Sequence, residues 1–289
     1  MESPTTSTMD RDALRALVTG TLAQLSRTGE VPVLPSRATA ALALVRDPDA
    51  DTDRLCRIVR TDVGLVARIL RAANSVFYGR RAPARTLQDA VLTLGLHKTC
   101  DLLVAAAARQ MFRASGPRAR DLWHHALATA LAAEELARRT RRADPATAFL
   151  PGLFHDVGRI AFLLADPTSY DVIASLAAAE PAPAAALERE WYAFDHAEAG
   201  ASLAADWGLV PESCEAIRWH HRPAEAAEDR GLALLVCAAD ELAYRVGLGG
   251  GPRPPTPTGL SALELSEDEQ AACARELERS FAAHRDLLG

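Results

Sequence analysis

The sequence predicts an all-α protein, and three observations carry that expectation. Alanine and leucine dominate the apolar residues, valine and isoleucine are scarce and aromatics make up only 5% of the chain, so helices have ample material and pleated sheets have little. Apolar residues recur at steps of three and four rather than two. Cap residues stand before those runs, and glycine or proline stands after them.

The elements follow in order. From Asp10 to Leu25, the residues Leu14, Leu17, Val18, Leu22 and Leu25 describe one face of a helix, which Pro32 and Pro35 interrupt. Short helices come next, with Ser36 before ATAALALV, Asp51 or Thr52 before RLCRIVR and Asp62 before VGLVARILRAA as their caps. Asn74 to Arg85 reads as a loop, Leu87 to Leu94 as a helix, and His97 to Phe112 as a long apolar helix ended by Gly116-Pro117. Asp121 is the expected cap of a helix from Leu122 to Ala137, and Arg138, Arg139, Arg141 and Arg142 complement its dipole. Asp144-Pro145 joins an N-cap to a proline at the first helical position and opens a helix into LPGLFHDVG. Asp195 precedes a helix through HAEAGASLAADW, Pro211 starts one through SCEAIRWHH, and another covers Leu232 to Val246. GGGPRPPTPTG reads as a linker. Ser266 and Glu269 then form a capping box for a final helix with Leu277 and Phe281 on its apolar side, a pattern that suits packing on the body or a homodimer.

Composition bounds the function. With 32 basic and 38 acidic residues, the net charge of -6 argues against a chain-wide footprint for nucleic acid or anionic lipid. The first twelve residues hold no apolar signal-peptide core, and no window of about 18 residues is free of charge, so the expectation is a cytoplasmic protein with no membrane partner. Five cysteines lie far apart without a CxxC pair, which fits reduced thiols rather than disulfides or a thiolate zinc site.

The candidate chemistry lies in the histidines. Of eight, His97 and His284 read as ordinary surface or hydrogen-bonded core residues. The others fall where helices begin, end or turn, in the order His124-His125, His155-Asp156, His196, His220-His221, followed by Asp240. Imidazoles and carboxylates without thiolates suit iron, manganese, cobalt, zinc or magnesium, and an adjacent His-Asp pair lets one backbone segment offer two ligands. His124 and His125 point about 100° apart on a helix, so at most one faces a shared site. Asp240, inside the apolar run LLVCAADELAYRV, needs a buried partner, either a metal or an arginine.

This ordered set resembles the HD superfamily of metal-dependent phosphohydrolases, and more closely the HDOD domain, the HD-related output domain of bacterial signalling proteins. VPVLPSRATAALALV, IVRTDVGLVARILRAANSVFYG and AVLTLGLHKTCDLLVAA look like that family's N-terminal helical module. LWHHALATA, FLPGLFHDVGRIAFL, DHAEAGASLAADWGLVPESCEAIRWHHRP and LLVCAADELA look like its HD-like module. The organisation implied is an N-terminal helix (1–30), a helical half (31–116), an HD-like half with the candidate metal site (117–248), and a linker with a final helix (249–289). The ligand pattern carries over to His125, His155, Asp156, His196, His220, His221 and Asp240, with His125 preferred to His124 because it lies two residues after Trp123. The resemblance implies one or two ions (Fe, Mn, Zn or Mg), with Asp156 bridging, His125, His155 and Asp240 on one and His196, His220 and His221 on the other. Many HDOD proteins have lost several of these ligands, whereas this chain keeps them all.

Two functions follow from the resemblance. One is a signalling module that senses a nucleotide-type ligand and passes its state to a protein partner. The other is a phosphohydrolase on a nucleotide or cyclic dinucleotide, with metals activating water for attack at phosphorus, Asp156 bridging them and Arg159 contacting the phosphate through its planar fork. The signalling reading is favoured because RPAEAAEDR follows His220-His221 where the cyclic di-GMP phosphodiesterases of the superfamily carry a GYP loop, and because Arg159 replaces the lysine common in that branch.

Overall fold

The computed structural model describes residues 33–75, 78, 83–114, 117–179, 184–250 and 259–288, which hold helices and no strand. The helix expected over 10–25 and most of the expected linker lie outside the described residues.

Among the described residues, five helices make the N-terminal part: α1 (Ser36–Val45), α2 (Thr52–Val59), α3 (Val63–Ala73), α4 (Leu87–Leu94) and α5 (Leu96–Ala114). Asp51 caps α2 by accepting from the amide of Arg54, and Asp62 caps α3 by accepting from that of Leu65. Thr86 and Asp89 form a capping box on α4. Ser36 is not a cap: it is the first residue of α1, which follows Pro35 without a side-chain cap.

Helix α6 (Pro117–Thr140) is the axis of the molecule, touching α5 on one side and α7 (Pro145–Phe154), α13 (Arg230–Arg245) and α15 (Glu267–Leu288) on others. Asp121 is not its N-cap. The helix has already begun at Pro117, whose fixed φ suits the first turn. Small side chains let its neighbours approach: Ala126, Ala128, Ala130, Ala132 and Ala133 are all buried, and a Cβ on Gly152 of α7 would stand 2.9 Å from the Cα of Ala130. The alanine-rich composition is thus the material of close helix packing. At the end of α6, Arg138 pairs with Glu134 and Glu135 and Arg139 pairs with Glu135, so these arginines are held along their own helix.

The remaining helices enclose the site. They are α8 (Val157–Ala165), α9 (Pro167–Ala179), α10 (Ala184–Tyr192), α11 (His196–Asp206), α12 (Pro211–Trp219), a 3-10 turn (Pro223–Glu225), α13, α14 (Gly259–Ala262) and α15. The stretch Pro145–Ala165 is long and apolar enough to cross a membrane by composition, but 83% of its apolar 18-residue window is buried among its neighbours, as the core of this bundle. The final helix lies on the body, contacting α3, α5 and α6, with Cys273, Leu277, Phe281 and His284 buried.

Candidate metal centre

Each candidate ligand is placed by a helix terminus or an inward helix face. His155 and Asp156 occupy the break between α7 and α8, so two consecutive side chains turn inward where a continuous helix would send them about 100° apart. His220 ends α12, His196 is the first residue of α11 behind its Asp195 cap, and His125 and Asp240 face inward from α6 and α13.

Four imidazoles are fixed in the same tautomer by what stands behind them. His155 donates from Nδ1 to the carbonyl of Gly152 at 2.8 Å, His220 to that of Ile217 at 2.7 Å, and His125 to that of Leu248 at 2.9 Å. His196 donates from Nδ1 to the Glu188 carboxylate at 2.5 Å. Carbonyl and carboxylate oxygens only accept, so these Nδ1 atoms carry hydrogen and the Nε2 atoms are left to face the interior.

Those nitrogens converge with two carboxylates. His125 Nε2 and His155 Nε2 are 3.2 Å apart, and His125 Nε2 lies 3.0 Å from Asp240 Oδ1. Asp156 stands between two groups: its Oδ2 is 3.6 Å from His155 Nε2 and 3.8 Å from His125 Nε2, and its Oδ1 is 3.1 Å from His196 Nε2 and 4.0 Å from His220 Nε2. His221 Nε2 is 2.8 Å from His196 Nε2. The seven predicted residues therefore meet at one place. They form one trio of His125, His155 and Asp240 and another of His196, His220 and His221, with ligand atoms close enough within each to share an ion. His124 turns aside, its ring edge-on to Phe281.

The fit to a cation shows in the buried atoms left over. Asp156 Oδ1, Asp240 Oδ1 and His220 Nε2 are buried and lack a hydrogen bond of good geometry. Unpaired buried acceptors are costly, and three aimed into one nest are the donor set a divalent ion satisfies. Burial pushes His155 down to about 3, which keeps it a neutral ligand at physiological pH. Against the same burial, Glu188 lifts His196 to about 9, so an ion there would displace a proton from its Nε2, while Arg159, His155 and His196 hold Asp156 well below the carboxylate range.

Arg159 is buried too, with Nε 3.1 Å from Asp156 Oδ1 but not in hydrogen-bond geometry. It lines a cavity of about 10 Å³ together with Arg118, Tyr170 and Gly250, room for about one water. Sequence reasoning missed Glu188, which takes the backbone N–H of His196 at 2.8 Å, its ring N–H, and the hydroxyl of Tyr170 at 3.2 Å. It sits on α10, a helix for which no expectation was formed, eight residues before His196.

The family model of the HDOD domain matches residues 31–223. Among solved structures, an HDOD domain protein of Geobacter sulfurreducens is 26% identical, with a TM-score of 0.73 and 94% of each chain covered. A protein of Shewanella amazonensis SB2B provisionally named a phosphohydrolase is 25% identical, with a TM-score of 0.69, 92% of this chain and 96% of that one being covered. An uncharacterized protein of Treponema pallidum (strain Nichols) is 27% identical over 262 residues, 90% of this chain, which spans about half (51%) of that relative's length.

Proposed function

The chain belongs to the HDOD domain family, and from that premise we propose that it is a signal-transduction regulator whose HD-like half, residues 117–248, holds one or two divalent metal ions. The observation that carries this reading is the convergence of four Nδ1-anchored imidazoles on buried carboxylate oxygens that lack hydrogen bonds. His125, His155 and Asp240 would hold one ion and His196, His220 and His221 a second, with Asp156 between them. When bound, such ions supply Lewis acidity and neutralise negative charge on a phosphate-bearing ligand. The protein's own contribution is to fix the ring orientations, exclude water, and keep Arg159 beside Asp156. The regulatory role is favoured over turnover because RPAEAAEDR, not a GYP loop, follows His220-His221.

A hydrolase is the second reading. The complete ligand set favours it, as does the likeness to the Shewanella protein. Elemental analysis of protein purified without an affinity tag, beside His155→Ala and Asp156→Ala, tests the metal claim. Metal in the wild type and loss in both variants is expected; metal near zero, or equal in all three, would sink it. Incubation with cyclic di-GMP, cyclic AMP, ppGpp and nucleotides under Mn or Fe(II) separates the readings, since no turnover leaves the regulator and turnover makes the chain an enzyme.

A further inference from the structure

The five rings of the nest are not held alike. His125, His155, His196 and His220 each have a carbonyl or carboxylate oxygen behind Nδ1. Among the described residues no such acceptor stands behind His221, which is also the one ring of its trio that is only half-buried. It meets the His196 ring edge-on and leans against that of His220, with Nε2 2.8 Å from His196 Nε2. The position of this ring is therefore set chiefly by the backbone that carries it. That backbone leads into RPAEAAEDR, a segment that closes on itself. Glu215 on α12 accepts from the amides of Ala227 and Glu228 at 2.6 Å each and from that of Asp229 at 3.3 Å. Three successive N–H groups turned to one point make a concavity suited to an anion, and here the chain fills it with its own carboxylate.

Resting on the metal reading above, we propose that Glu215 is the positioning residue of the second trio: by clamping the amides of residues 227–229 it closes the loop from His221 to Asp229 and keeps His221 within reach of an ion shared with His196 and His220. The rest of the loop supports the closure. Arg222 pairs with Glu225 at 3.0 Å and lies over the Trp219 ring, 5.0 Å from its centre. Arg230 Nε donates to the Ala226 carbonyl at 2.9 Å, and Ala226 is buried. Asp229 ends the loop by capping α13 at the amide of Leu232. The clamp acts on the second trio through His221. His220 has the Ile217 carbonyl to orient it, and the first trio is carried by α6, the α7–α8 break and an Asp240 about three turns into α13. Without Glu215 the three amides turn to water, the loop opens, and the one ring with no acceptor behind it drifts from its partners.

Two measurements on the full-length chain test this: hydrogen exchange at the amides of residues 227–229, and Mn(II) retention against a chelator. Glu215→Ala should speed the exchange and release the ion of the His196 trio about tenfold faster, with the first trio unchanged. Glu215→Gln, which keeps one acceptor oxygen, should fall between the two, and it carries the test if the alanine variant does not fold. His221→Ala should weaken the same ion while the loop amides stay protected. Adding Glu215→Ala to His221→Ala should then cost nothing more, because the clamp has no ring left to place. Wild-type retention in a Glu215→Ala chain whose loop amides exchange freely would overturn the positioning role and leave the metal site intact. Losses that add in the double variant would overturn it too, since the clamp would then act otherwise than through His221. A wild-type chain that binds no Mn(II) would overturn the metal reading and the positioning role together.

Discussion

Glu188 accepts two hydrogen bonds from a single residue, His196, one from its ring Nδ1–H at 2.5 Å and one from its backbone N–H at 2.8 Å. The same carboxylate fixes both the start of α11 and the direction of the ring it carries. Glu188→Gln keeps the shape but weakens the charge, and metal retention against a chelator should fall about 10- to 100-fold, as for other carboxylates behind a ligating histidine. Glu188→Ala removes the acceptor from three buried donors, two on His196 and the Tyr170 hydroxyl, and should cost about 3 kcal/mol or more of stability, read as the urea midpoint. Unchanged metal retention in Glu188→Gln would show that the carboxylate serves the helix alone.

Gly158 is where α8 passes over the start of α11. A Cβ there would stand 2.1 Å from the carbonyl oxygen of His196, a contact with backbone that no rotamer relieves. Gly158→Ala should therefore push α8 and α11 apart, costing at least about 2 kcal/mol and separating Asp156 from His196. Thermal unfolding and metal content, measured on the same sample, should fall together. A variant as stable as the wild type would contradict the close approach.

How much of this was legible depended on how local the physics was. Asp51, Asp62, Asp144 and Asp195 were readable as caps because a carboxylate two or three residues before an amide closes a ring within its own segment. Asp121 has the same side chain but fails, since Pro117 had already begun the helix. Helix α9 announced itself with the same Asp-Pro pair as α7, Asp166 accepting from the amide of Ser169, yet that signal went unread. The seven candidate ligands were legible as an ordered series of residue types, whereas Glu188 was not. Nothing in ALEREWY distinguishes the buried glutamate from its exposed neighbour Glu190, because the distinction is made by tertiary packing.

Away from the metal centre, two buried groups give the stability opposite dependences on pH. Burial pushes the Asp101 carboxyl up to about 7 and the His284 imidazole down to about 4. His284, between Tyr78 and Ser280, is neutral when folded, so its contribution is complete above the unfolded histidine pKa of about 6.5 and is lost as pH falls towards 4. Asp101 holds its proton when folded, so its contribution is complete below the unfolded carboxyl pKa of about 4 and is lost as pH rises towards 7. Relative to wild type, Asp101→Asn should gain stability between pH 4.5 and 7.5, and His284→Asn should lose its acid-side decline over the same range. Each difference is bounded by about 1.4 kcal/mol per pH unit for one proton. Denaturant melts at the two pH values check both signs, and parallel shifts in the two variants would refute the assignment.

The last prediction concerns the wall over His125. The carbonyl of Leu248 accepts from His125 Nδ1, and a Cβ on Gly250 would stand 2.8 Å from the His125 Cβ. Gly250 is therefore required by close approach rather than by turn geometry. In Gly250→Val the segment must lift, which takes the Leu248 carbonyl away from the ring and leaves His125 free to change tautomer. The first trio, with His155 and Asp240, should then lose its ion about tenfold or more faster to a chelator. The second trio, anchored by Glu188 and the Ile217 carbonyl, should be affected less. Chelator competition with Mn(II) reads the two steps separately. Equal loss from both would mean that Asp156 transmits the disturbance, and no loss from either would mean that His125 does not depend on Leu248 for its orientation.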